Sequence, residues 1–308
     1  MPLPAEFHDI AKRVNNWGRW GAADEIGTLN LVTDEVVREA AAEVRTGRRV
    51  PLGLPLKEDG VQSGLIPGRI NPFHSMVQIN QEIFGPGTVA CSDDAVTMGL
   101  QAATHWDALT HVSHSGRLYN GRPADTITAH GGAGFGGIDK IPYIVSRGVL
   151  LDVVAAKGLD RLPGDHAVTP QDLDEAAEFG RVEVGSGDIV LVRTGQIQVY
   201  LAGDKHGYGY PSPGLSVRAP EWFHARDVAA VANDTLTFEI FPPEIEDLWL
   251  PVHALDLVEM GMLQGQNWNL ESLSTACGEL SRYSFLLSAM PEPFQGATGT
   301  PVAPVAIF

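Results

Sequence analysis

The amino-acid sequence predicts a mixed α/β fold, with a mixed sheet surrounded by helices. Short, continuous apolar runs, typical of strands buried on both faces, are separated by capped helical segments and long loops. The 34 glycines and 21 prolines predict many turns and disfavour a helical bundle. With 308 residues, of which 44% are hydrophobic, the chain can bury a sizeable core in one large domain or two smaller ones.

Three helices are predicted from the residues that flank them. The first covers residues 34–45, because Thr33 suits an N-cap and Gly47 stands where a C-cap is expected. The second covers residues 170–179 and has a proline at its first position. The third covers residues 220–226.

Four strands are predicted from short apolar runs bounded by turn residues. They cover residues 149–154, 189–193, 228–232 and 285–289. The stretch from residue 67 to residue 115 has no helical period, so we expect extended chain and turns there.

The composition argues against several classes of partner. The chain has 21 basic and 38 acidic residues, which gives a formal net charge of −17. A field of that sign repels nucleic acid and anionic membranes, so we expect neither as a partner. The N-terminal segment lacks the charged start and apolar core of a signal peptide, and no apolar run approaches the length of a membrane span. We therefore expect a cytoplasmic protein.

The strongest functional signal is a polar run near position 105. Gln101, His105, Asp107 and His111 all occupy odd positions, so in an extended chain their side chains point to one face. One carboxylate, two imidazoles and one amide on a common surface form a ligand set suited to a divalent metal such as zinc or manganese. A helix would also bring these residues together in pairs four apart, so the clustering does not depend on the local conformation.

The roles of the histidines remain open at this point. His111 is a candidate third ligand or a general base, since a pKa near 6.5 suits proton transfer at neutral pH. The alternative for His111 is a core histidine with a satisfied hydrogen bond. For His105 and Asp107 the alternative is an imidazole bonded to a neighbouring carboxylate. Trp106 alternates with the ligand candidates and is predicted to face the core.

Other side chains are candidates for lining a substrate pocket. They are polar or aromatic residues near the run in sequence or in the N-terminal segment: His74, His114, His130 and Trp20.

The run Thr104-His-X-Asp-X-X-X-His111 resembles the signature of the cyclase-like metal hydrolases, a family that includes bacterial kynurenine formamidase and isatin hydrolase. The likeness covers essentially the whole chain. It includes Arg193-Thr-Gly195 after an apolar strand, Pro213-Gly-Leu-Ser216 and His253. The segment 19–30 resembles the longer members, of roughly 300 residues.

The resemblance implies a swivelling β/β/α-type fold in a single domain over residues 1–308. Residues 1–50 are then expected as an N-terminal helical extension packed on that domain. It also implies a homo-oligomer, either a dimer or a tetramer, and hydrolysis of a carbon–nitrogen or ester bond at a zinc or manganese site.

Carried over position by position, His105 and Asp107 match metal ligands and His111 matches the catalytic histidine. His253 matches a further ligand or site histidine. Gln101 stands where the family usually has histidine. Because a neutral amide is a weaker ligand than imidazole, we expect one divalent metal, zinc or manganese, rather than two.

Gln266 stands where the family has a glutamate, and we expect it at the substrate site. The expected function is metal-dependent hydrolysis of a small cyclic amide, imide, lactone or aryl formamide, with His111 moving the proton. Gln101 and Gln266 motivate two alternatives. One is a metal-independent cyclase or dehydratase that uses His111, and the other is a non-catalytic relative that binds a small molecule.

Overall fold

The computed structural model describes residues 4–308, which alternate between short strands and short helices. The fifteen strands in this range are β1 (Arg49–Pro51), β2 (Phe73–Glu82), β3 (Ala90–Thr97), β4 (His105–Asp107), β5 (Ile127–Thr128), β6 (Gly132–Ala133), β7 (Val145–Asp152), β8 (Ala167–Val168), β9 (Ile189–Arg193), β10 (Gly214–Leu215), β11 (Ala230–Asn233), β12 (Leu263–Gln266), β13 (Ser284–Ser288), β14 (Gly299–Pro301) and β15 (Val305–Ile307). The α-helices of the same range are α1 (Ala5–Val14), α2 (Asp34–Ala41), α3 (Val153–Ala156), α4 (Pro170–Gly180), α5 (Ile197–Leu201), α6 (Lys205–Gly209), α7 (Ala219–Ala225), α8 (Pro251–His253) and α9 (Glu271–Leu280). A π-helix, Ala254–Met260, continues α8 directly.

A nine-stranded mixed sheet forms the centre of the molecule, in the order β1-β15-β13-β7-β9-β11-β12-β4-β14. The strands β7, β9, β11 and β12 run parallel to one another. On either side of them the pairing becomes antiparallel, through β13 on one side and β4 on the other. The predicted α/β fold, with a mixed sheet and surrounding helices, is confirmed.

The sheet separates two apolar layers. Along β9, Ile189 and Leu191 pack into one layer, while Val190 and Val192 pack into the other. This is the alternation that a strand buried on both faces must show. Helix α9 covers the first layer, and α1, α4 and α7 cover the second.

The predicted strands and helices are confirmed, with shifted ends. The strand at residues 189–193 has the predicted bounds. Helix α2 stops at Ala41 instead of residue 45, because the following turn bonds elsewhere: the backbone N–H groups of Thr46 and Gly47 donate to Phe308 O at 2.9 and 2.7 Å. Strand β7 stops at Asp152, whose side chain caps α3 by accepting a bond from Ala155 N.

The stretch from residue 67 to residue 115 is extended chain and turns, as predicted. Its main element is a hairpin of β2 and β3, which pair with each other and with no other described strand. Both faces of the hairpin are exposed, and apolar residues such as Ile79 and Phe84 are 68% and 77% accessible. The hairpin therefore stands away from the main sheet, while β4 at the end of the stretch joins it.

The N-terminal elements pack against the sheet domain. Helix α1 lies against α7, where Arg13 forms an ion pair with Glu221, and Asn16 N donates to Glu259 O at 3.0 Å. Helix α2 lies against β7. The division of the chain at residue 50 stays a prediction. No helix among the described residues is long and apolar enough to cross a membrane.

A buried ion-pair network ties the sheet to α9. Arg193, at the end of β9, donates to Asp152 Oδ1 at 2.9 Å and forms two bonds of 2.9 Å with the carboxylate of Glu271. Burial alone would lower the pKa of Arg193, but the hydrogen bonds and negative charges of the two carboxylates outweigh it and raise the pKa. The guanidinium is thus firmly charged and shared by β7, β9 and α9.

Replacing Arg193 by methionine should lower the free energy of unfolding by about 3–5 kcal/mol, because the fully buried Asp152 and the partly buried Glu271 lose their shared partner. Urea unfolding followed by circular dichroism measures the change. The matched control is Arg38→Met, which removes the same charge from an exposed pair with Glu35 on α2 and should cost less than about 1 kcal/mol. Equal effects of the two substitutions would contradict a stabilising role for the network.

Candidate active site

The pairing of β4 with β12 builds the polar centre. In this antiparallel register His105 lies opposite Gln266, and Asp107 lies opposite Gln264. Residues directly opposite each other share a face, so two amides meet the imidazole and the carboxylate. Trp106 points to the other face and is fully buried in the core, as predicted.

The residue opposite Trp106 has to be glycine. A Cβ atom on Gly265 would lie 2.6 Å from Trp268 Nε1 and 2.8 Å from Ala232 Cβ. The indole of Trp106 donates to Ala289 O at 3.0 Å and packs edge-on against Trp268. These contacts anchor β4 from behind and fix the direction in which its polar side chains point.

His105 and Asp107 present two bare acceptor atoms to each other. His105 Nδ1 lies 2.7 Å from Ala103 O, and since a carbonyl only accepts, Nδ1 carries the proton and Nε2 holds a lone pair. His105 Nε2 is 3.5 Å from Asp107 Oδ1, and both atoms are buried without a hydrogen-bond partner. Two facing lone pairs with no hydrogen between them are the arrangement of two ligands around one cation.

The second oxygen of Asp107 is occupied by amides. Gln266 Nε2 donates to Asp107 Oδ2 at 2.7 Å, and Gln264 Nε2 lies 3.4 Å from the same atom. Burial would raise the pKa of Asp107, but the nearby His111 and His105 outweigh it and hold the pKa well below its usual range. Asp107 is therefore an ionised carboxylate inside the protein.

His111 stands beside this carboxylate as a neutral base. Its Nε2 lies 3.7 Å from Asp107 Oδ1 and 3.3 Å from a nitrogen of Arg69. Arg69 can only donate, so Nε2 of His111 is an acceptor. Burial lowers the pKa of His111 to about 4, against the opposing effect of Asp107. Gln101 Nε2 lies 3.5 Å from Nδ1 of the same ring.

A loop after β11 positions a carboxylate that the sequence analysis missed. The amide of Asn233 donates to Phe238 O at 2.7 Å, and the hydroxyl of Thr235 accepts from Phe238 N at 2.9 Å. These bonds fold the loop back, and the carboxylate of Glu239 then lies against the first turn of α8. In the sequence, Glu239 is distinguished only by the two prolines that follow it at 242 and 243, and such a context does not indicate a function.

Glu239 orients His253. Its carboxylate accepts from the backbone N–H groups of Val252 and His253 at 3.0 and 3.3 Å and forms a short bond with His253 Nδ1. This bond leaves Nε2 of His253 as the acceptor, 3.2 Å from Gln266 Nε2. A carboxylate behind an imidazole fixes the tautomer and the direction of the ring, as in metal sites and catalytic triads.

A cavity of about 400 Å³ opens onto this cluster. Its wall is mainly apolar, with a few polar groups at the end nearest β12. The lining residues are Leu65, Ile66, Pro67, Arg69, His111, Leu236, Thr237, Glu239, Ile240, Phe241, Pro243, Trp249, Leu250, His253 and Gln266. The rings of Phe241 and Trp249 lie 5.7 Å apart and form an aromatic end. An apolar pocket of this size with few convergent polar groups suits a small, flat ligand.

The structure brings together only some of the residues singled out in the sequence. Those in or beside the cluster are Gln101, His105, Asp107, His111, His253 and Gln266.

Four predicted pocket residues lie elsewhere. His74 is exposed on the hairpin, 2.7 Å from Asp94, and His130 is exposed after β5. His114 packs edge-on against Phe7, and Trp20 lies under the guanidinium of Arg19. None of the four lines the cavity.

The side chains at the centre of the site determine whether a metal ion could bind there. Among residues 4–308, no group of three or more histidine, cysteine, aspartate or glutamate side chains is arranged to hold a metal ion. Three atoms on the face shared by β4 and β12 are nevertheless buried without a partner: His105 Nε2, Asp107 Oδ1 and Gln264 Oε1. One imidazole, one carboxylate and one amide oxygen fit a single cation with open coordination positions, which solvent or substrate would complete.

Comparison with known proteins identifies the family. Residues 20–240 match the family described as "Putative cyclase". A solved structure described as a novel cyclase is 33% identical, with a TM-score of 0.88, over 96% of this chain and 100% of that chain. The protein therefore belongs to the cyclase family, as the sequence resemblance implied. Among proteins of curated function, none matches this chain.

More distant structures share the fold. Isatin hydrolase A from Labrenzia aggregata, bound to benzyl benzoate, is 21% identical, with a TM-score of 0.61, over 87% of this chain and 94% of that chain. A predicted metal-dependent hydrolase from Bacillus stearothermophilus is 17% identical, with a TM-score of 0.55, over 84% of this chain and 97% of that chain.

Replacing Glu239 by leucine should lower the free energy of unfolding by about 3 kcal/mol or more, since each buried donor left without an acceptor costs about 1–3 kcal/mol. Glu239→Gln keeps an acceptor oxygen and should cost less. Thermal and urea unfolding compare the two variants. In wild-type protein the Nδ1 proton of His253 should resonate far downfield in NMR spectra, and in Glu239→Gln it should move upfield. An unchanged resonance would show that Glu239 does not hold the imidazole.

Proposed function

We propose that the protein hydrolyses a small carbonyl compound: a cyclic amide, an imide, a lactone or an aryl formamide. The observation that carries the proposal is the pair of bare acceptor atoms, His105 Nε2 and Asp107 Oδ1, beside the neutral His111, which lines an apolar cavity. The isatin hydrolases among the structures with this fold support the substrate class by analogy.

A divalent cation, zinc or manganese, would be held by His105 and Asp107, with an amide oxygen of Gln264 or Gln101 as a weaker ligand. When bound, such a cation lowers the pKa of a water molecule and polarises the substrate carbonyl. Zinc and manganese both accept a mixed nitrogen and oxygen ligand set, and the donor types favour neither.

His111 performs the proton transfer in this proposal. Its pKa of about 4 keeps the ring neutral near pH 7, so Nε2 can take a proton from the attacking water once Arg69 turns away from it. The same nitrogen then returns the proton to the leaving nitrogen or oxygen. The oxygen–carbon bond forms at the carbonyl as the carbon–nitrogen or carbon–oxygen bond breaks, so atoms and charge balance.

His253 has a supporting role. With Nδ1 held by Glu239, its Nε2 faces Gln266 and the polar end of the cavity. This orientation lets His253 accept a hydrogen bond from water or substrate, or serve as a further ligand.

A metal-independent reaction is the second candidate. The observation that favours it is the small number of strong ligands: within the described residues this cluster offers one imidazole and one carboxylate, His105 and Asp107, whereas zinc is usually held by three or four imidazole, thiolate or carboxylate groups. In that case His111 acts as the acid and base of a cyclase or dehydratase. The third possibility is a relative that binds a small molecule without converting it.

Two further expectations carry over as proposals. We expect a homo-oligomer, a dimer or a tetramer, with a small molecule as the other partner, and we expect a cytoplasmic location. Light scattering of the purified protein tests the first, and fractionation of the source cells tests the second.

Purified protein should contain about one zinc or manganese per chain, and exhaustive chelation should abolish hydrolysis of a panel of cyclic amides, imides, lactones and N-formylaniline. Elemental analysis and product assays measure both.

His111→Ala should lower kcat by about 10²–10⁴-fold while keeping the metal, because it removes only the proton acceptor. Asp107→Asn should lose metal and activity together.

His74→Ala is the matched control, since His74 is exposed on the hairpin and should be dispensable for activity. Less than about 0.1 metal per chain, with activity that survives chelation, would overturn the metal mechanism and favour the second candidate. Ligand binding without any product would favour the third.

A further inference from the structure

Arg69 is a cavity residue that the reaction proposed above leaves without a role. It is the only lysine or arginine that lines the cavity in the described part of the chain. One guanidinium nitrogen, Nη2, lies 3.3 Å from His111 Nε2, and the other, Nη1, is buried with no hydrogen-bond partner. Arg69 forms no ion pair with any residue that the structure describes.

Burying an unpaired guanidinium in the cavity wall lowers the stability of the protein. Burial lowers the pKa of Arg69, and the charge of Asp107 offsets the effect only in part. Arginine nonetheless stays protonated in proteins, so the cavity wall carries a positive charge with unused donors. Other buried or half-buried arginines of this protein meet carboxylates, as Arg193 and Arg147 do. A guanidinium fork with free donors is suited to bind a carboxylate.

The geometry places this fork next to the reacting atoms. Nε2 of His111 is 3.7 Å from Asp107 Oδ1 and 3.3 Å from Arg69 Nη2. A carbonyl attacked by water at His111 is therefore within reach of Arg69. The aromatic pair Phe241 and Trp249 lies on the wall of the same cavity, where it can hold the apolar body of a ligand.

We propose that Arg69 binds the carboxylate formed at the attacked carbonyl, and that the natural substrates are therefore ring compounds: cyclic amides, imides or lactones. Ring opening leaves the new carboxylate attached to the body of the molecule, so Arg69 and the aromatic pair hold one product at both ends. An aryl formamide would instead release its acyl half as free formate, which the aromatic pair cannot hold. The inference rests on the proposed hydrolytic function and narrows its substrate class.

The bond changes are those of a simple hydrolysis. Water adds its oxygen to the carbonyl carbon, the ring bond to nitrogen or oxygen breaks, and His111 passes one proton from the water to the leaving atom. The carboxylic acid loses its remaining proton to solvent, and Arg69 takes the resulting anion. No oxidant or further reactant is needed.

Equilibrium binding tests Arg69 directly. Benzoate and its neutral isostere benzamide are titrated calorimetrically into metal-loaded protein. Wild type should bind benzoate at least about tenfold more tightly than benzamide, because a charge-assisted bond contributes about 1.5–3 kcal/mol. Arg69→Met should lose that preference and keep its affinity for benzamide, and Arg69→Lys should retain part of it.

Arg38→Met is the matched control, because it removes one exposed arginine far from the cavity wall and should behave as wild type. Arg69→Met should also keep the melting temperature of wild type, since Arg69 pairs with no carboxylate of the described chain. An unchanged melting temperature shows that any loss of benzoate binding does not come from unfolding. Equal binding of benzoate and benzamide by wild type, or unchanged benzoate binding by Arg69→Met, would overturn the proposal.

Product assays separate this inference from the proposed function. Arg69-dependent benzoate binding without hydrolysis of any compound would refute the hydrolase and leave the anion site intact. Hydrolysis of N-formylaniline as fast as that of ring compounds, with kcat and KM unchanged in Arg69→Met, would refute the ring-substrate inference and leave the hydrolase intact. Support requires that ring compounds turn over faster than N-formylaniline. It also requires that Arg69→Met lowers kcat/KM more for ring compounds than for N-formylaniline.

Discussion

Asp107 is a charged group with no access to solvent, and the neighbouring side chains are arranged around its charge. A carboxylate in such a place is tolerated only when donors or cations surround it. Here the amides of Gln264 and Gln266 donate to one oxygen, whereas the other, Oδ1, faces the acceptor nitrogens of His105 and His111, where a bound cation would supply the missing positive charge. The pairing of β12 with β4 meets this requirement, because it places both glutamines of β12 beside the carboxylate.

The amides also set the charge of the site. A glutamate at position 266 would put a second carboxylate against Asp107, and two such groups cannot both ionise at this distance. With glutamine there, the carboxylates of the cluster are Asp107 and Glu239, and the guanidinium of Arg69 opposes them. A divalent cation added to this balance leaves excess positive charge, which an anionic product offsets. The glutamine and the arginine are thus two parts of one electrostatic arrangement.

Local sequence patterns predicted what local geometry controls. The alternation of residues 105–107 correctly placed His105 and Asp107 on one face and Trp106 on the other, and the strand at 189–193 was found with its ends. Arg69 and Glu239 could not be found this way, because they arrive on loops distant in sequence and only the folded sheet brings them to His111 and His253. His74, a candidate for the pocket, does not line the cavity, because the hairpin that carries it stands away from the main sheet.

The pleat of β4 has a consequence for how this family can evolve. Because side chains alternate along a strand, one residue inserted or deleted between positions 105 and 107 would turn the following side chains to the opposite face. The indole would then enter the cavity and the carboxylate would be pressed into the apolar layer. Substitutions at these positions change the chemistry of the site step by step, but a change in length would destroy it at once. We therefore expect homologues to vary in the identities of these residues and to keep their spacing.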